Sequence, residues 1–352
     1  MSPESPAKAR PIRVCLFGLG AIGSSVARAL FAAPRFEITG AIDTDPDKLN
    51  RDLKSLLRLK GESGISVNND MAEGLRLAAP DVVVHCTGSR LAEVAPQLAL
   101  VIDAGIPCVT SCEEMAFPWG TEGTGPALAR QLDETARKRN VAMIGAGVNP
   151  GFVMDALVLA LSGATRNVSH IFVERVLDPL SRRRVFQKKV GIGLKYRQAV
   201  RKVLEGSMGH VGMKQSAMLV AAGMGWKVTR FEEETHVLCE GETVARRTRR
   251  ASPPDARVTG LQQSVTARDE KGILIRMEML MVAGAEAPHD AITIAGEPDL
   301  NLWIQGGIPG DQATVSCLIN AIHQVLAPPR AGLLTLLDLP LRPARADGST
   351  FM

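Results

Sequence analysis

Residues 12–23 read IRVCLFGLGAIG, and the helix-forming run SSVARALFAA follows directly. The first six residues are short and mostly apolar, as expected of a buried strand. The glycines have the spacing G-x-G-x-x-G, which is weak information alone because glycine is common. Here the pattern lies between a predicted strand and a predicted helix, and in that context it indicates a dinucleotide-binding turn.

Each glycine of this turn has a predicted task. Gly18 permits the tight turn, Gly20 lets the backbone approach a pyrophosphate, and Gly23 lets the helix pack close to the strand. The N–H groups at the helix N-terminus then face the phosphates. We predict cofactor contacts along the whole turn: Gly18, Leu19, Gly20, Ala21, Ile22 and Gly23.

An acidic residue ends the next apolar run, about 20 residues after the last of these glycines. Asp43 would accept hydrogen bonds from the adenosine ribose hydroxyls, which favours NAD, since a 2′-phosphate would be repelled. Lys48 and Arg51 lie close behind in the sequence and could accommodate that phosphate. The sequence therefore predicts NAD or NADP as cofactor.

Further short apolar runs alternate with amphipathic segments through the first half of the chain. The runs are Glu37–Ile42, Asp81–Cys86, Pro107–Ser111 and Val141–Gly145, and a charged helical pattern covers about 125–140. Such alternation predicts βαβ units around a parallel sheet. The fold class that we predict is α/β, with an N-terminal doubly wound Rossmann domain.

From residue 167 the pattern changes to longer alternating runs. Asn167–Asp178, Lys227–Leu238, Val258–Asp269 and Gly272–Val282 predict antiparallel strands, giving an α+β domain with an open mixed or antiparallel sheet. A glycine-rich helical stretch is predicted over Gly206–Trp226. Apolar residues from Val315 to Leu326 keep helical spacing, so this helix is expected to return to the nucleotide domain.

These patterns divide the chain into five segments. We predict a disordered leader (1–11), a Rossmann domain (12–150), a substrate-binding and dimerisation domain (151–305), a returning C-terminal segment (306–340) and a tail (341–352). The 352 residues agree with two domains.

Composition excludes several classes of protein. The 41 basic and 37 acidic residues leave a net charge of only +4, which does not suggest binding to nucleic acid or membranes. Six cysteines without a C-x-x-C pair, and histidines without H-E-x-x-H, predict reduced thiols and no metal site. Without a signal-like N-terminus, a cytoplasmic location is expected. The single tyrosine, Tyr196, is not followed by a lysine four residues on, so the Tyr-x-x-x-Lys relay is absent.

Loops after the predicted parallel strands should carry the chemistry, because ligands bind at the carboxyl ends of such strands. Thr87, Gly88 and Ser89 are expected beneath the nicotinamide ribose. Glu113 and Glu114 bring carboxylates to the same edge, where one could act as a general base or hold an ammonium group. The alternative is that either glutamate is a first-turn acid stabilised by a helix dipole. The loop over 145–151 adds Asn149 and Pro150 as further cofactor contacts.

Other residues have competing interpretations. Cys112 could be a nucleophile, but Glu113 beside it would raise the thiol pKa. His210 is either a pocket histidine or a second acid/base group. Arg182 belongs to a basic cluster that is either a solvated loop or a clamp for a substrate carboxylate. The predicted pocket residues are Val148, Phe152, Phe186, Met208 and Arg182.

Four segments together resemble one family. They are TSCEEMAFPW (110–119), GAGVNPGFVMDAL (145–157), RRRVFQKKVGIGL (182–194) and GDQATVSCLINAI (310–322). They are similar to the 2,4-diaminopentanoate dehydrogenases and native amine dehydrogenases, which have a Rossmann domain of the dihydrodipicolinate-reductase type. The resemblance implies NAD(P)-dependent, reversible deamination of a primary amine to a ketone and ammonia. It also implies a homodimer and places the catalytic glutamate at Glu113.

Two other functions remain open from the sequence. One is an NAD(P)-dependent dehydrogenase of an alcohol or aldehyde, and the other is a nucleotide-binding sensor without turnover. The substrate itself, including whether it is 2,4-diaminopentanoate, is not determined by these patterns.

Overall fold

The computed structural model describes residues 10–120, 125–182, 184–240, 252–340 and 344. The described strands are β1 (Ile12–Phe17), β2 (Phe36–Ile42), β3 (Val67–Asn68), β4 (Val82–His85), β5 (Cys108–Thr110), β6 (Ala142–Gly145), β7 (Arg166–Leu177), β8 (Arg230–Cys239), β9 (Val258–Arg268), β10 (Ile273–Val282), β11 (His289–Glu297), β12 (Leu300–Gln305) and β13 (Gly332–Leu334). Apart from residues 10, 11 and 344, the predicted leader and tail lie outside the described residues.

The helices lie between these strands in a pattern that differs between the two halves. They are α1 (Ala21–Phe31), α2 (Leu53–Leu56), α3 (Met71–Ala78), α4 (Leu91–Asp103), α5 (Gly125–Lys138), α6 (Ala156–Ser162), α7 (Arg184–Val190), α8 (Tyr196–Leu204), α9 (Met213–Gly223) and α10 (Gly310–Leu326). Short 3-10 helices cover Glu113–Ala116, Pro179–Ser181 and Leu336–Asp338.

The chain divides into two compact units. Residues up to Val148 and from Asp311 onwards form the first, and Asn149–Gly310 form the second. The second unit is thus an insertion into the first.

The first unit contains a seven-stranded sheet in the order β13-β6-β5-β4-β1-β2-β3. Each pairing in it is parallel. Strands β2 and β3 follow on one side of β1, and β4, β5 and β6 follow on its other side. The order of the strands therefore reverses between β1 and β4. This is the strand order of a doubly wound dinucleotide-binding fold, and the predicted Rossmann domain is confirmed.

Both faces of this sheet are covered by apolar side chains from helices. Alternate residues of β1 point to opposite faces. Val14 and Leu16 lie in one core cluster with residues of α1 and α10. Cys15 and Phe17 lie in the other, with residues of α3, α4 and α5. These four side chains of β1 are at most 1% exposed, which explains why the strand was visible in the sequence as an unbroken apolar run.

The second unit contains a six-stranded sheet in the order β12-β11-β7-β10-β9-β8. It is a mixed sheet, as the fold class predicted. The expectation that its long strands are all antiparallel is wrong, because β7 and β10 pair in parallel. Along β10 the buried residues are Ile275, Met277, Met279 and Met281, and α9 packs against β9 and β10.

Some elements differ from the sequence prediction for local reasons. The helical stretch expected from residue 206 begins only at Met213, because Gly209 and Gly212 have φ of +112° and +100°, outside the right-handed helical region. Strands β11 and β12 were not predicted, and neither were the two- and three-residue strands β3 and β13. Strands as short as β3 and β13 cannot show a periodic pattern of apolar residues in the sequence.

A buried ion pair joins the neighbouring strands β7 and β11. Arg175 and Asp290 are register partners and are each 2% exposed. Arg175 Nε lies 3.1 Å from Asp290 Oδ1, at ion-pair distance but without hydrogen-bond geometry. Arg175 also donates to the Ile308 carbonyl at 2.5 Å, and the Ile308 N–H donates to Asp290 Oδ2 at 2.7 Å. The pair therefore holds the loop through which the chain leaves the second unit.

Replacing Asp290 should be strongly destabilising. In Asp290→Ala the Arg175 guanidinium stays buried without its counter-charge, and a loss of about 3–5 kcal/mol in the free energy of unfolding is expected. Urea denaturation followed by tryptophan fluorescence would measure it. The matched control is Asp255→Ala, which removes an exposed partner of Lys195 and should leave the urea midpoint nearly unchanged. Equal midpoints for the two variants would contradict the assignment.

Candidate functional site

The glycine turn after β1 has a geometry that side chains would disrupt. Gly18 has a φ of +95°, and a Cβ there would lie 2.7 Å from the Cys86 carbonyl oxygen. A Cβ at Gly23 would lie 1.9 Å from the Gly18 carbonyl oxygen. The turn and the first residues of α1 are thus packed directly on each other and on the end of β4.

The space above this turn fits a dinucleotide pyrophosphate. A Cβ at Gly20 would meet no atom within 4 Å, so this side of the turn is open. Helix α1 starts at Ala21, has no side-chain cap at its N-terminus and has no acidic residue in its first turn. Its N–H donors and the positive end of its dipole are available to an anion.

Asp43 lies directly after β2 and is bound into the same turn. Its carboxylate accepts hydrogen bonds from the Leu19 N–H at 2.7 Å, the Asp45 N–H at 2.8 Å and Lys48 Nζ at 3.0 Å. Burial opposes the charged form, but these bonds outweigh it and hold the pKa of Asp43 below its usual value. An ionised Asp43 can accept from ribose hydroxyls, while Lys48 partly neutralises the charge that would repel a 2′-phosphate.

The loops after β4 and β5 support one another through the Ser89 carbonyl. It accepts hydrogen bonds from Cys112 Sγ at 3.2 Å and from the Glu114 N–H at 3.3 Å. In return, Glu114 Oε2 accepts from the Leu91 N–H at 2.7 Å, at the first residue of α4. Glu114 therefore caps the N-terminus of α4, a helix other than its own, and this agrees with the dipole interpretation of that residue.

Glu113 begins the 3-10 helix Glu113–Ala116 and is half-buried. This short helix lies against the end of β6, where a Cβ on Gly145 would be 2.4 Å from the Met115 carbonyl carbon. The close backbone approach fixes the turn that carries Glu113. Glu113 thus lies on the loop after β5, at the same sheet edge as the glycine turn, Asp43 and Thr87–Ser89.

The environment of Cys112 disfavours a nucleophilic thiolate. Burial, and to a smaller extent the neighbouring Glu113, raise the pKa of the Cys112 thiol to about 12. A thiol with such a pKa is almost entirely protonated at neutral pH.

In the second unit, Asn149 and His210 are in direct contact. Asn149 Nδ2 donates to His210 Nε2 at 3.1 Å. Gln263, on β9, holds the backbone of His210 through both its N–H, at 2.6 Å, and its carbonyl, at 3.3 Å. Burial lowers the pKa of His210 to about 3, with a further contribution from the positive charges of Lys189 and Arg175. At neutral pH this imidazole is uncharged and accepts from Asn149, an environment poorly suited to proton donation.

Asp155 stabilises the loop that follows Asn149 and the buried Pro150. Its carboxylate accepts from the Gly151 N–H at 2.8 Å, the Ala156 N–H at 2.7 Å and Ser216 Oγ at 2.7 Å. It thereby ties the loop to the start of α6 and to α9. Asp155 was not among the site residues predicted from the sequence. The signal that could have found it is an acidic residue within an otherwise apolar stretch, shortly after Phe152 and Val153.

Of the predicted pocket residues, Val148 belongs to the first unit and the others belong to the second. Val148 is buried in the first unit, and its N–H donates to Thr314 Oγ1 at 3.4 Å. In the second unit the Arg182 guanidinium lies 5.9 Å from the centre of the Phe186 ring. Met208 is buried with its sulfur against Gly191, whereas Phe152 is 36% exposed. Arg182 and Phe186 are therefore brought together.

Within the described residues, no group of three or more His, Cys, Asp and Glu side chains is arranged to hold a metal ion. In the same part of the chain, no helix has both the length and the apolar character required to span a membrane. The six cysteines all lie within the described residues, and none of them forms a disulfide there.

Residues 152–350 match the model of the 2,4-diaminopentanoate dehydrogenase C-terminal domain. The chain belongs to this family. It is 27% identical to the 2,4-diaminopentanoate dehydrogenase of Acetoanaerobium sticklandii over 341 aligned residues. This alignment covers 94% of each protein. Its recognition from the CEE, NPGF and associated segments is confirmed.

Solved structures agree with this assignment. The amine dehydrogenase of Mycobacterium smegmatis superposes with a TM-score of 0.81 at 25% identity, covering 95% of this chain and 97% of that one. The dipicolinate-bound dihydrodipicolinate reductase of a Paenisporosarcina species superposes with a TM-score of 0.52 at 15% identity, covering 94% and 100%. The second likeness concerns the fold alone.

The glycine turn yields a test of dinucleotide binding. Gly23→Ala places a methyl group against the Gly18 carbonyl oxygen and should weaken NADH binding more than tenfold, because the turn has to open. Titration of NADH fluorescence would measure this. Gly125→Ala is the control, since a Cβ at that position of α5 meets no atom within 4 Å. Unchanged NADH affinity in Gly23→Ala would refute the assigned site.

Proposed function

We propose that this chain is an NAD(P)-dependent amine dehydrogenase, which converts a primary amine to a ketone and ammonia and catalyses the reverse reductive amination. Membership of the 2,4-diaminopentanoate dehydrogenase family supports an oxidoreductase that acts on amines. The observation that carries the proposal is the presence of Glu113 at the edge of the parallel sheet that also holds the dinucleotide turn.

Most of the cofactor contacts are assigned to residues of the first unit. Gly18, Leu19, Gly20, Ala21, Ile22 and Gly23 hold the pyrophosphate, and Asp43 holds the adenosine ribose. Thr87, Gly88, Ser89, Asn149 and Pro150 are assigned to the nicotinamide end. When bound, the nicotinamide accepts hydride from the amine-bearing carbon and supplies it in the reverse direction.

Glu113 is assigned the acid/base role. Its carboxylate takes a proton from the substrate ammonium, so that the nitrogen lone pair can assist formation of the iminium. After that proton has exchanged with solvent, the carboxylate takes a second one from the water that adds to the iminium carbon. Collapse of the carbinolamine releases ketone and ammonia. In the reverse direction the same carboxylate holds ammonium through a charge-assisted hydrogen bond.

The substrate side is assigned to the predicted pocket residues. Val148, Phe152, Phe186 and Met208 are assigned to the apolar wall, with His210 as a neutral hydrogen-bonding group. Arg182 is assigned to a substrate carboxylate, which would make 2,4-diaminopentanoate a candidate substrate. The position of its guanidinium over Phe186 supports a defined orientation for Arg182.

We also propose a cytoplasmic homodimer whose partners are otherwise small molecules: amine, ketone and ammonia. The second unit exposes 59% of Trp303, stacked at 3.7 Å on His289, on a strand at the edge of the mixed sheet. Exposed aromatic area of this kind favours a protein interface. Six free thiols favour a reducing compartment, and the net charge of +4 does not favour nucleic acid or membranes.

A spectrophotometric screen tests the proposed reaction. NAD and NADP would be supplied with 2,4-diaminopentanoate and with simple amines such as cyclohexylamine, and NADH with the corresponding ketones. We expect amine-dependent reduction of the cofactor and ketone-dependent NADH oxidation only when ammonium is present. Oxidation without ammonium would identify an alcohol dehydrogenase. NADH binding without turnover across the panel would identify a sensor.

The two adjacent glutamates provide a matched pair of variants. Glu113→Gln removes the acid/base group and should lower kcat about 10²–10⁴-fold, with NADH affinity retained. In Glu114→Gln an amide oxygen still accepts from the Leu91 N–H, so kcat should fall much less. Steady-state kinetics and NADH titration would separate the two. Wild-type deamination by Glu113→Gln would reject the catalytic assignment.

A further inference from the structure

A buried polar group lies behind the candidate catalytic edge. His85, the last residue of β4, is 0% exposed, and its ring contacts Phe17 edge-on at a centroid distance of 5.3 Å. Its Nδ1 lies 2.8 Å from Thr110 Oγ1, on β5. Its Nε2 lies 2.8 Å from Gln97 Oε1, on α4, and 2.8 Å from Thr87 Oγ1. One imidazole thus connects two strands, one helix and the loop after β4.

The direction of each hydrogen bond follows from the chemistry of its partners. The Gln97 amide oxygen only accepts, so His85 Nε2 carries the proton. In a neutral imidazole Nδ1 then accepts, and the Thr110 hydroxyl donates to it. Thr110 Oγ1 in turn accepts from the Cys112 N–H at 3.1 Å. Burial lowers the pKa of His85 to about 4, so the neutral form prevails at neutral pH.

This network reaches both candidate functional loops. Thr87 Oγ1 also donates to Gln97 Oε1 at 2.5 Å, which fixes the hydroxyl of the loop assigned to the nicotinamide ribose. At the other end, Cys112 immediately precedes Glu113 and occupies the N-cap position of its 3-10 helix. The apolar surroundings do not require a histidine. A polar ring buried without partners would destabilise the fold, so the hydrogen bonds at both nitrogens are what make a histidine tolerable at this position.

We propose that His85 is a positioning residue that fixes the Thr87 loop through Nε2 and the Glu113 loop, by way of Thr110, through Nδ1. The proposal rests on the acid/base role proposed for Glu113. Its consequence is that the cofactor loop and the proton-transferring loop share one buried support. A displacement of about 1 Å in a reacting group can cost about a hundredfold in rate, so small shifts in this support alter catalysis.

Two substitutions of His85 distinguish the contribution of the hydrogen bond at Nδ1 from that of the bonds at Nε2. The amide oxygen of Asn lies near the position of Nδ1, so His85→Asn retains an acceptor for Thr110 but loses the bond to Gln97. The amide nitrogen of Gln lies near the position of Nε2, so His85→Gln retains the bond towards Gln97 and Thr87 but not the acceptor. We expect His85→Gln to lower kcat about 10–100-fold with little change in NADH affinity. We expect His85→Asn to weaken NADH binding several-fold with the smaller loss in kcat.

Thr110 provides an independent check on the same path. Thr110→Val is nearly isosteric but removes both the donor to His85 and the acceptor for Cys112, so it should reproduce the kcat loss of His85→Gln. Thr110→Ser retains the hydroxyl and should restore most of the rate. The control is Thr39→Val on β2, where the buried hydroxyl has no hydrogen-bond partner among the described residues, and no change is expected.

Hydrogen exchange of the peptide spanning residues 111–116 supplies a readout that does not depend on turnover. Exchange should accelerate in His85→Gln and Thr110→Val, but not in His85→Asn or Thr39→Val. If all His85 and Thr110 variants lose kcat, NADH affinity and thermal midpoint in the same proportion, His85 is merely structural and the proposal is overturned. If Glu113→Gln stays active, the proposed function fails, and the exchange pattern still decides whether His85 fixes the loop.

Discussion

Parallel pairing of β4 with its neighbours β1 and β5 is the constraint on which the candidate site depends. Parallel strands end at a common edge, so residues far apart in the chain meet there without any sequence proximity. The pairing of Phe17 with His85, and of His85 with Thr110, places the ends of all three strands side by side. The glycine turn, Thr87–Ser89 and Glu113 each follow one of these ends, and the candidate site of the first unit consists of these loops.

The loops are not independent once they reach that edge. The Ser89 carbonyl receives two donors from the loop after β5, and Glu114 returns its carboxylate to α4. The two adjacent glutamates therefore have distinct tasks, since one stabilises a helix end and the other is assigned to proton transfer. The backbone of the short helix that carries both is pressed against Gly145 at the end of β6.

Features whose cause is local were predictable from the sequence. Strand β1 has the bounds of its apolar run, and Gly18 and Gly23 have the steric roles expected of them. The neighbouring Glu113 contributes, after burial, to the raised thiol pKa of Cys112. Features that arise from distant partners were not predictable. Nothing near His85 in the sequence indicates Thr110, and nothing near His210 indicates Gln263. Strand β11 was overlooked for the same reason, because it pairs with β7, more than a hundred residues away along the chain. Strand β12 in turn pairs with β11.

The anchoring of the second unit at both of its chain ends has a consequence for protein engineering. Asn149, at its start, is held by His210, and Ile308, near its end, is held by Arg175 and Asp290; all of these partners lie within the same unit. The residues at which the chain enters and leaves the second unit are thus held by side chains of that unit itself. Residues 149–310 are therefore a natural cassette for exchange between homologous proteins, because the exchanged segment would bring the contacts that anchor both of its ends with it.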